Sequence, residues 1–458
     1  MNTPPSGEEW RAFDAPSDLL PRTSADDDAL RAARVGIEAH RKTDVSLLVL
    51  RANGAPLANA DLLLEQTRHA FPFGDQLWGL DAMARHGEWD TDRARAWRRR
   101  FAEVFNAATN LCYWTERPRN DASKTEDVQG EPRLDAFART VDWTLASGLL
   151  AKGHPLFWSI PKCIPEWAKR YDFDTFWKFA EVRVRSLVAR FRGRIRLWDA
   201  VNEALWEAAP WNLPRRQWPH IESVPDMVRY ISPVLRWCRE EDPDATFLLN
   251  DYGTEDDSAY PAGSDGSAVT AASQRARYIA LARALADAGT PPDALGLQSH
   301  TGRWASPSSQ RALYDEFAAA GLRVHITEFW ADLRLLRESG RYAESDLEAA
   351  RAQHILDFLT VAFGHPAVDA FFFWGFLGAA IRWDARYSGH EPLPLWDAVR
   401  HLLHEEWHTR LALRTDATGR VSFRGFKGDY VLRRPLGPAF KGVPFRADGS
   451  APSLVLTL

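Results

Sequence analysis

Two apolar, strand-like runs in this chain each lead to a glutamate. The first covers residues 196–201 and is followed by Asn202 and Glu203; the second covers residues 321–329 and contains Glu328. A buried strand that stops at a carboxylate places it at the rim of a sheet, and in a parallel β/α barrel the carboxyl-terminal rim of the strands carries the chemistry. The two runs therefore predict a pair of carboxylates that face each other across one cleft.

Between residues 71 and 405, strand-like runs alternate with amphipathic helical stretches. Eight of each predict an α/β protein with a (β/α)8 TIM barrel, because repeated strand–helix units build a parallel sheet. The 458 residues of the chain are enough for such a barrel with insertions. We place the strands at residues 71–78, 107–114, 150–158, 195–202, 246–251, 294–300, 323–328 and 370–374.

The two ends of the chain predict a small accessory β module beside the barrel. Residues 1–23 predict an irregular arm, and residues 24–70 predict a helix followed by a β-hairpin around Asn53-Gly54, a strong hairpin signal. Residues 71–405 are the predicted catalytic barrel. Residues 406–458 contain short alternating runs that we expect to pair with the hairpin in one sheet.

Composition and charge exclude several classes of protein. The net charge is −5 and no long basic run occurs, which argues against nucleic acid as a partner. The three cysteines form neither a disulfide framework nor a metal-spaced cluster, and we expect no metal and no cofactor. Neither a membrane span nor a leader is visible. We therefore expect a monomer in the cytoplasm, or a secreted protein if a leader has been removed.

Several motifs, in matching order along the chain, resemble glycoside hydrolase family 10, the endo-β-1,4-xylanase family. Residues 198–203, Trp-Asp-Ala-Val-Asn-Glu, are similar to that family's acid/base motif, and residues 326–328, Ile-Thr-Glu, to its nucleophile motif. The other similar stretches are residues 153–158, 249–252, 296–300 and 373–375. The resemblance implies a retaining hydrolase that cleaves β-linked glycans, with β-1,4-xylan or xylo-oligosaccharides as expected substrates, by double displacement with two glutamates.

The resemblance also implies roles for individual residues. Glu203 is expected to be the general acid/base and Glu328 the nucleophile, with His300 hydrogen-bonded to Glu328. Asn202 is expected to bind the 2-hydroxyl of the sugar at the cleavage site. The remaining residues expected to bind substrate are Asn110, Tyr113, His154, Trp158, Gln298, Trp374 and Trp383.

Beside the expected cleavage site the chain departs from the family pattern. The family's second strand carries an acid, an amide and a lysine that hold the next sugar toward the non-reducing end, whereas this chain has Thr109, Asn110 and Tyr113. The stretches after Trp158 and after Trp374 are also replaced. These departures predict poor turnover of unsubstituted linear xylan and better turnover of short, decorated or aryl substrates.

Two alternatives stay open at the level of the sequence. The first is the same mechanism acting on a different or decorated β-glycoside, which the departures at Thr109 and Tyr113 favour. The second is a non-catalytic carbohydrate-binding barrel, against which the presence of Glu203, Glu328 and His300 argues. For the rim histidines and tryptophans, a purely structural role is the alternative to substrate binding.

Overall fold

The computed structural model describes residues 22–115, 124–126, 128–215, 220–255, 262–301, 305–383, 390–435, 442–451 and 453–458. Within these ranges, eight parallel strands form a closed ring with helices around it, so the predicted (β/α)8 barrel is confirmed. None of the described helices combines the length and the apolar composition that crossing a bilayer takes.

The strands are numbered in chain order. They are β1 (Lys42–Leu50), β2 (Asp61–His69), β3 (Phe73–Gln76), β4 (Ala107–Leu111), β5 (Leu150–His154), β6 (Phe157–Trp158), β7 (Leu197–Asn202), β8 (Thr246–Asp251), β9 (Ala294–Leu297), β10 (His300–Thr301), β11 (Val324–Ala331), β12 (Val368–Phe373), β13 (Ile381–Trp383), β14 (His390–Pro392), β15 (Arg410–Arg414), β16 (Arg420–Phe426), β17 (Gly428–Arg433), β18 (Val443–Ala447) and β19 (Ser453–Thr457).

The barrel ring runs β3-β4-β5-β7-β8-β9-β11-β12 and closes where β12 pairs with β3. All eight ring strands overlap the positions predicted from the sequence. Strands β4 and β7 are buried along their whole length, because one face meets the barrel interior and the other meets the helices. The ring therefore holds the carboxyl-terminal ends of its strands together at one mouth.

The α-helices are likewise numbered in chain order. They are α1 (Ser24–Gly36), α2 (Trp78–Arg85), α3 (Asp92–Ala102), α4 (Asp135–Ala146), α5 (Phe173–Arg190), α6 (Val224–Glu241), α7 (Ala271–Asp287), α8 (Pro307–Ala319), α9 (Leu333–Glu338), α10 (Leu347–Gly364), α11 (Phe376–Ala380) and α12 (Pro394–His401).

Side-chain caps define where several helices begin. Thr23 caps α1, and the Asp26 side chain accepts in return from the Thr23 backbone N–H, so two otherwise unpaired amides are satisfied. In five other helices the first turn donates a backbone N–H to the side chain of the preceding residue, which is Thr91, Asp172, Ser223, Thr270 or Ser306. These caps hold the helices in place around the ring.

Strands from both ends of the chain form two further sheets beside the barrel. One sheet has the order β16-β1-β19 and the other the order β15-β2-β17-β18. The two sheets bury a common hydrophobic core in which Leu47, Leu64 and Tyr430 are fully buried. Residues 1–21 of the predicted arm lie outside the described residues, and the division of the chain into four units stays a prediction.

The predicted hairpin between the first two strands, and with it the single shared sheet, is wrong. The turn at Asn53-Gly54 is present, but pairing ends at Leu57, whose N–H donates to the Val49 carbonyl at 2.9 Å. Strands β1 and β2 then enter different sheets. Each carries one apolar face, and two facing sheets bury both faces against each other, which side-by-side pairing would not do.

Candidate active site

The two predicted glutamates lie at the carboxyl-terminal mouth of the barrel. Glu203 follows β7 directly, and Glu328 lies in β11. The backbone of Glu203 has a φ of 57° and its N–H donates to the Asn250 carbonyl at 2.7 Å. Residues other than glycine rarely adopt this left-handed conformation, which costs energy and is common at functional sites. Ser299, between two predicted site residues, shares it with a φ of 56°.

The Glu328 carboxyl is buried and held from both sides. Its Oε1 accepts from Asn250 Nδ2 at 2.7 Å, and its Oε2 lies 3.0 Å from His300 Nε2. His154 Nδ1 lies 3.8 Å from Oε1. Burial raises the pKa of Glu328, but the hydrogen bond to His300 and the nearby His154 outweigh it, so the pKa falls below its ordinary value. Glu328 is therefore ionised at neutral pH.

Glu203 has the opposite electrostatic environment. Burial raises its pKa to about 7, and the negative charge of Glu328 adds to this, against the opposing effects of Gln298, Lys162 and His300. Gln298 Nε2 donates to Glu203 Oε1 at 3.1 Å. Two carboxyl groups whose pKa values are moved in opposite directions define one group that donates a proton and one that stays charged.

Amide side chains connect the two glutamates. Asn250 Nδ2 donates to Asn202 Oδ1 at 2.8 Å, in addition to its bond to Glu328, and Thr327 donates to Asn250 Oδ1 at 2.5 Å. Gln298 Nε2 lies 3.5 Å from Asn202 Oδ1. We call Asn202, Asn250, Gln298, His300 and the two glutamates the polar network.

Asn250 was not among the predicted site residues. The available signal was its position near the end of a buried strand, in one of the stretches that resemble the family.

A buried ion pair lies beneath this network. Lys152 Nζ and His154 Nδ1 lie 2.5 and 2.7 Å from Asp199 Oδ2, and all three residues are buried. Burial raises the pKa of Asp199, but Lys152 and His154 lower it below its ordinary value. An ionised Asp199 accepts from Nδ1 of His154 and so orients the imidazole ring toward the cleft.

Four aromatic side chains form what we call the aromatic wall: Trp78, Tyr113, Trp158 and Trp374. The Tyr113 ring is buried and lies 5.6 Å from the His154 ring and 5.9 Å from the Trp158 ring, between centroids. Trp374 lies 5.2 Å from the His154 ring and 5.5 Å from the Trp78 ring. His154 therefore contacts the wall and the polar network at once.

The structure does not place Asn110 in the cleft, and its prediction as a substrate-binding residue is wrong. Its Nδ2 lies 3.2 Å from the Ala108 carbonyl, and Thr144 of α4 donates to its Oδ1 at 3.3 Å. Successive side chains of a strand point to opposite faces. Because Leu111 packs with the aromatic wall, Asn110 faces the helix layer instead.

The other predicted residues lie at the mouth. The polar network joins Glu203, Glu328, Asn202, Gln298 and His300, as described above. Tyr113, Trp158 and Trp374 belong to the aromatic wall, and His154 contacts it. Trp383 lines a cavity together with Gly375, the residue after Trp374.

Lys162 is a second residue that the sequence analysis missed. It lies in the replaced stretch after Trp158, with its Nζ 4.8 Å from the centre of the Trp158 ring. Its positive charge lowers the pKa of Glu203, in opposition to burial, which raises it.

As for metals, the part of the chain that the structure describes holds no group of three or more His, Cys, Asp or Glu side chains placed to bind one.

The fold and the site together define a β/α barrel with a pair of carboxylates of opposed pKa at its mouth, an arrangement typical of glycoside hydrolases. The family model described as glycosyl hydrolase family 10 matches residues 118–400. This chain belongs to that family.

The chain is also similar to individual proteins of known name. Endo-1,4-beta-xylanase B of Thermotoga neapolitana is 27% identical over 287 residues, which cover 59% of this chain and 74% of that protein. Anti-sigma-I factor RsgI6 of Acetivibrio thermocellus is 24% identical over 398 residues, which cover 86% of this chain and 45% of that protein. The chain therefore spans less than half the length of the anti-sigma factor.

A solved structure shows the same fold. Xylanase 10B from Thermotoga petrophila, in complex with xylobiose, superposes with a TM-score of 0.52 at 19% identity. The superposition covers 74% of this chain and 95% of that one.

Proposed function

We propose that this protein is a retaining glycoside hydrolase that cleaves β-linked glycans, with β-1,4-xylan or xylo-oligosaccharides as its substrates. The observation that carries the proposal is the pair Glu203 and Glu328, whose pKa values are moved in opposite directions within one hydrogen-bonded network. Such a pair supplies both groups that double displacement needs.

The reaction proceeds in two steps. Ionised Glu328 attacks the anomeric carbon while Glu203, protonated because of its raised pKa, gives a proton to the leaving oxygen. Formation of the glycosyl ester removes the negative charge of Glu328, so one cause of the raised pKa of Glu203 disappears. Glu203 then takes a proton from the water that attacks the ester, and the sugar leaves with its original anomeric configuration.

The surrounding residues hold the reacting groups in position. His300 and Asn250 hold the two oxygens of Glu328, which aims the carboxylate and keeps it charged. Asn202 accepts from Asn250 through its Oδ1, which leaves its amide nitrogen for the 2-hydroxyl of the sugar. Hydrogen bonds to this hydroxyl strengthen in the transition state of glycosidases.

The aromatic wall supports a substrate range shifted toward short, decorated or aryl glycosides. Tyr113 replaces a charged hydrogen-bond donor with a buried ring packed between His154 and Trp158. Loss of such a donor from a polar site costs on the order of a few kcal/mol of binding. Linear xylan depends on that neighbouring subsite, whereas an aryl xyloside does not.

Activity on an aryl β-xyloside, followed by proton NMR of the released sugar, tests the proposal. The first product should be the β-anomer, and Glu328→Ala should abolish turnover while the exposed control Glu344→Ala retains it. An α-anomer as first product contradicts the retaining mechanism. Binding of xylo-oligosaccharides without any turnover would identify the alternative, a non-catalytic binding protein.

A comparison of linear xylohexaose with the aryl xyloside tests the substrate range. We expect kcat/KM to be low for the hexaose. A value of about 10⁵ M⁻¹s⁻¹ or more, well within the ordinary range of enzymes, contradicts the proposal that Tyr113 weakens binding of linear xylan. The monomeric state and the cytoplasmic location expected from the sequence stay predictions.

A further inference from the structure

Ser299 lies between two residues that each contact one glutamate of the pair. Gln298 Nε2 donates to Glu203 Oε1 at 3.1 Å, and His300 Nε2 lies 3.0 Å from Glu328 Oε2. Ser299 itself is buried, and its backbone has a φ of 56°. A displacement of this one residue would therefore move both of its neighbours, and with them the hydrogen bonds to both glutamates.

The side chain of Ser299 is held by Glu255, from the loop that follows β8. Ser299 Oγ donates to Glu255 Oε1 at 2.8 Å, whereas its distance to the Leu297 carbonyl is 3.4 Å. A left-handed conformation is unfavourable for a residue with a Cβ and persists where the surroundings hold it. The shorter bond, to Glu255, comes from another segment of the chain and so fixes Ser299 relative to the barrel.

Glu255 is itself fixed by the residue before it. Its Oε2 accepts from the backbone N–H of Thr254 at 3.1 Å and from Thr254 Oγ1 at 3.0 Å. Thr254 is fully buried, and its carbonyl accepts from Arg275 of α7 at 2.9 Å. Arg275 in turn pairs with Glu316 of α8. Two helices of the barrel thus hold the carboxyl group that Ser299 contacts.

The same loop also packs against the segment that follows Glu203. Gly253 has a φ of 71°, and a Cβ at this position would lie 2.5 Å from the ring of Trp206. Trp206 Nε1 donates to the Tyr252 carbonyl at 2.8 Å. The loop after β8 therefore contacts the turn after Glu203 on one side and Ser299 on the other.

We propose that Glu255 is a positioning residue of the candidate active site, which acts through Ser299. It holds residues 298–300 where their side chains reach the acid Glu203 and the nucleophile Glu328. The inference rests on the proposed function, because it assigns both contacts a part in the same reaction. One hydrogen bond between two side chains thus controls both members of the carboxyl pair.

Loss of this hydrogen bond should move the pKa values of both glutamates in the same direction. The hydrogen bond from Gln298 lowers the pKa of Glu203, and the hydrogen bond from His300 lowers the pKa of Glu328. Weakening both bonds therefore raises both pKa values. The remaining charged groups that act on the two carboxyl groups lie on other segments, and they are Lys152, His154, Lys162 and, for Glu203, Glu328.

Glu255→Ala and Ser299→Gly test the proposal through the pH profile of kcat/KM on an aryl β-xyloside. The acidic limb reports the ionisation of Glu328 and the basic limb that of Glu203, so both limbs should move to higher pH by about half a unit or more. The kcat at the optimum should fall about tenfold. Because glycine adopts a positive φ readily, Ser299→Gly should fold at least as stably as the wild-type protein. An unshifted profile in this variant overturns the proposal.

Two further variants separate positioning from stability. Glu255→Gln keeps an oxygen and a nitrogen that can bond to Thr254 and Ser299, so it should restore most of kcat and the wild-type limbs. Ser308→Ala removes a serine hydroxyl that donates to Asp26 Oδ1 at 2.6 Å and should leave the profile unchanged. Equal shifts in Ser308→Ala and Ser299→Gly would show a general effect of a lost hydrogen bond and refute the assignment.

A double variant tests whether Glu255 acts through Ser299. If it does, Glu255→Ala should shift the limbs no further once Ser299→Gly is present, because the hydroxyl through which Glu255 acts is gone. Shifts that add in the double variant would show that Glu255 reaches the glutamates by another route and would overturn the proposal.

Carbon-13 NMR titration of the glutamate carboxyl groups separates failure of this inference from failure of the proposed function, because it requires no turnover. The signals of Glu203 and Glu328 are assigned with Glu203→Gln and Glu328→Gln. Higher pKa values for both in Ser299→Gly, in a protein that cleaves no glycoside, would refute hydrolysis and leave the positioning role standing. Turnover of aryl xyloside with both pKa values unchanged in Ser299→Gly would refute the positioning role alone.

Discussion

The polar network and the aromatic wall lie side by side at one barrel mouth and are held together by different forces. In the network, hydrogen bonds from Asn250 and His300 hold the two oxygens of Glu328. In the wall, rings pack against rings, and the indole N–H groups of Trp78 and Trp158 find no partner among the described residues. One region sets positions and charges, and the other sets shape.

This difference determines what a substitution costs. A residue removed from the network leaves its buried partners without hydrogen bonds, and their reorientation moves the reacting groups. A residue exchanged in the wall changes which ligand fits and leaves the reacting groups in place. Substitutions in the polar network should therefore lower kcat, whereas substitutions in the aromatic wall should change the ratio of activities on different substrates.

The largest effect is expected at the nucleophile. Glu328→Ala should lower kcat on an aryl β-xyloside by about 10⁴-fold or more, as removal of a nucleophile does in other hydrolases. Trp158→Ala, in the wall, should retain most of kcat on the same substrate. Equal losses of kcat in the two variants would contradict this distinction between the polar network and the aromatic wall.

A smaller loss is expected at the amide that joins the glutamates. Asn250→Ala should lower kcat by roughly 10- to 100-fold, because Asn202 and the charged Glu328 both lose a buried donor. The pKa of Glu328 should rise, which moves the acidic limb of the pH profile of kcat/KM upward. Thr327→Val removes only the donor to Asn250 Oδ1 and should cost less. A change confined to KM would show that Asn250 binds substrate instead.

A change of preference is expected in the wall. Tyr113→Lys restores the charged donor and should raise kcat/KM on linear xylohexaose by about tenfold relative to the aryl xyloside. Tyr113→Phe keeps the ring and serves as the control with an unchanged ratio. If Tyr113→Lys loses activity on both substrates alike, Tyr113 belongs functionally to the catalytic machinery.

The smallest effect is expected at Lys162, which contacts Trp158 of the wall and acts on Glu203 of the network. It is a shift in the pH profile of kcat/KM. The kcat/KM of the wild-type protein should fall as pH rises through about 7, because the acid Glu203 must be protonated. The charge of Lys162, over the Trp158 ring, favours the ionised form of Glu203. Lys162→Met should therefore raise the pKa of Glu203 and move this limb to higher pH, while Lys169→Met, at an exposed ion pair, should not. A downward shift would contradict the assignment of Glu203 as the acid.

The sequence predicts the barrel and the positions of its glutamates because both follow from local patterns. A buried strand that ends at a carboxylate, as the strand before Glu203 does, predicts that this carboxylate lies at the rim of the barrel. The direction in which Asn110 points depends on the register of its strand, which a motif of matching letters does not reveal. The partners of β1 and β2 lie more than 300 residues away, and the short-range turn at Asn53-Gly54 indicates only that the chain reverses there.

The left-handed backbone of Glu203 has a consequence for how such a protein changes under selection. The acid/base lies where the chain by itself favours glycine, at a cost of roughly 1–2 kcal/mol. Glu203→Gly would release this strain and end the proposed catalysis, while the aromatic wall keeps its shape. Under the proposed function this strain serves hydrolysis alone, so a lineage no longer selected for hydrolysis would gain stability by replacing Glu203 with glycine.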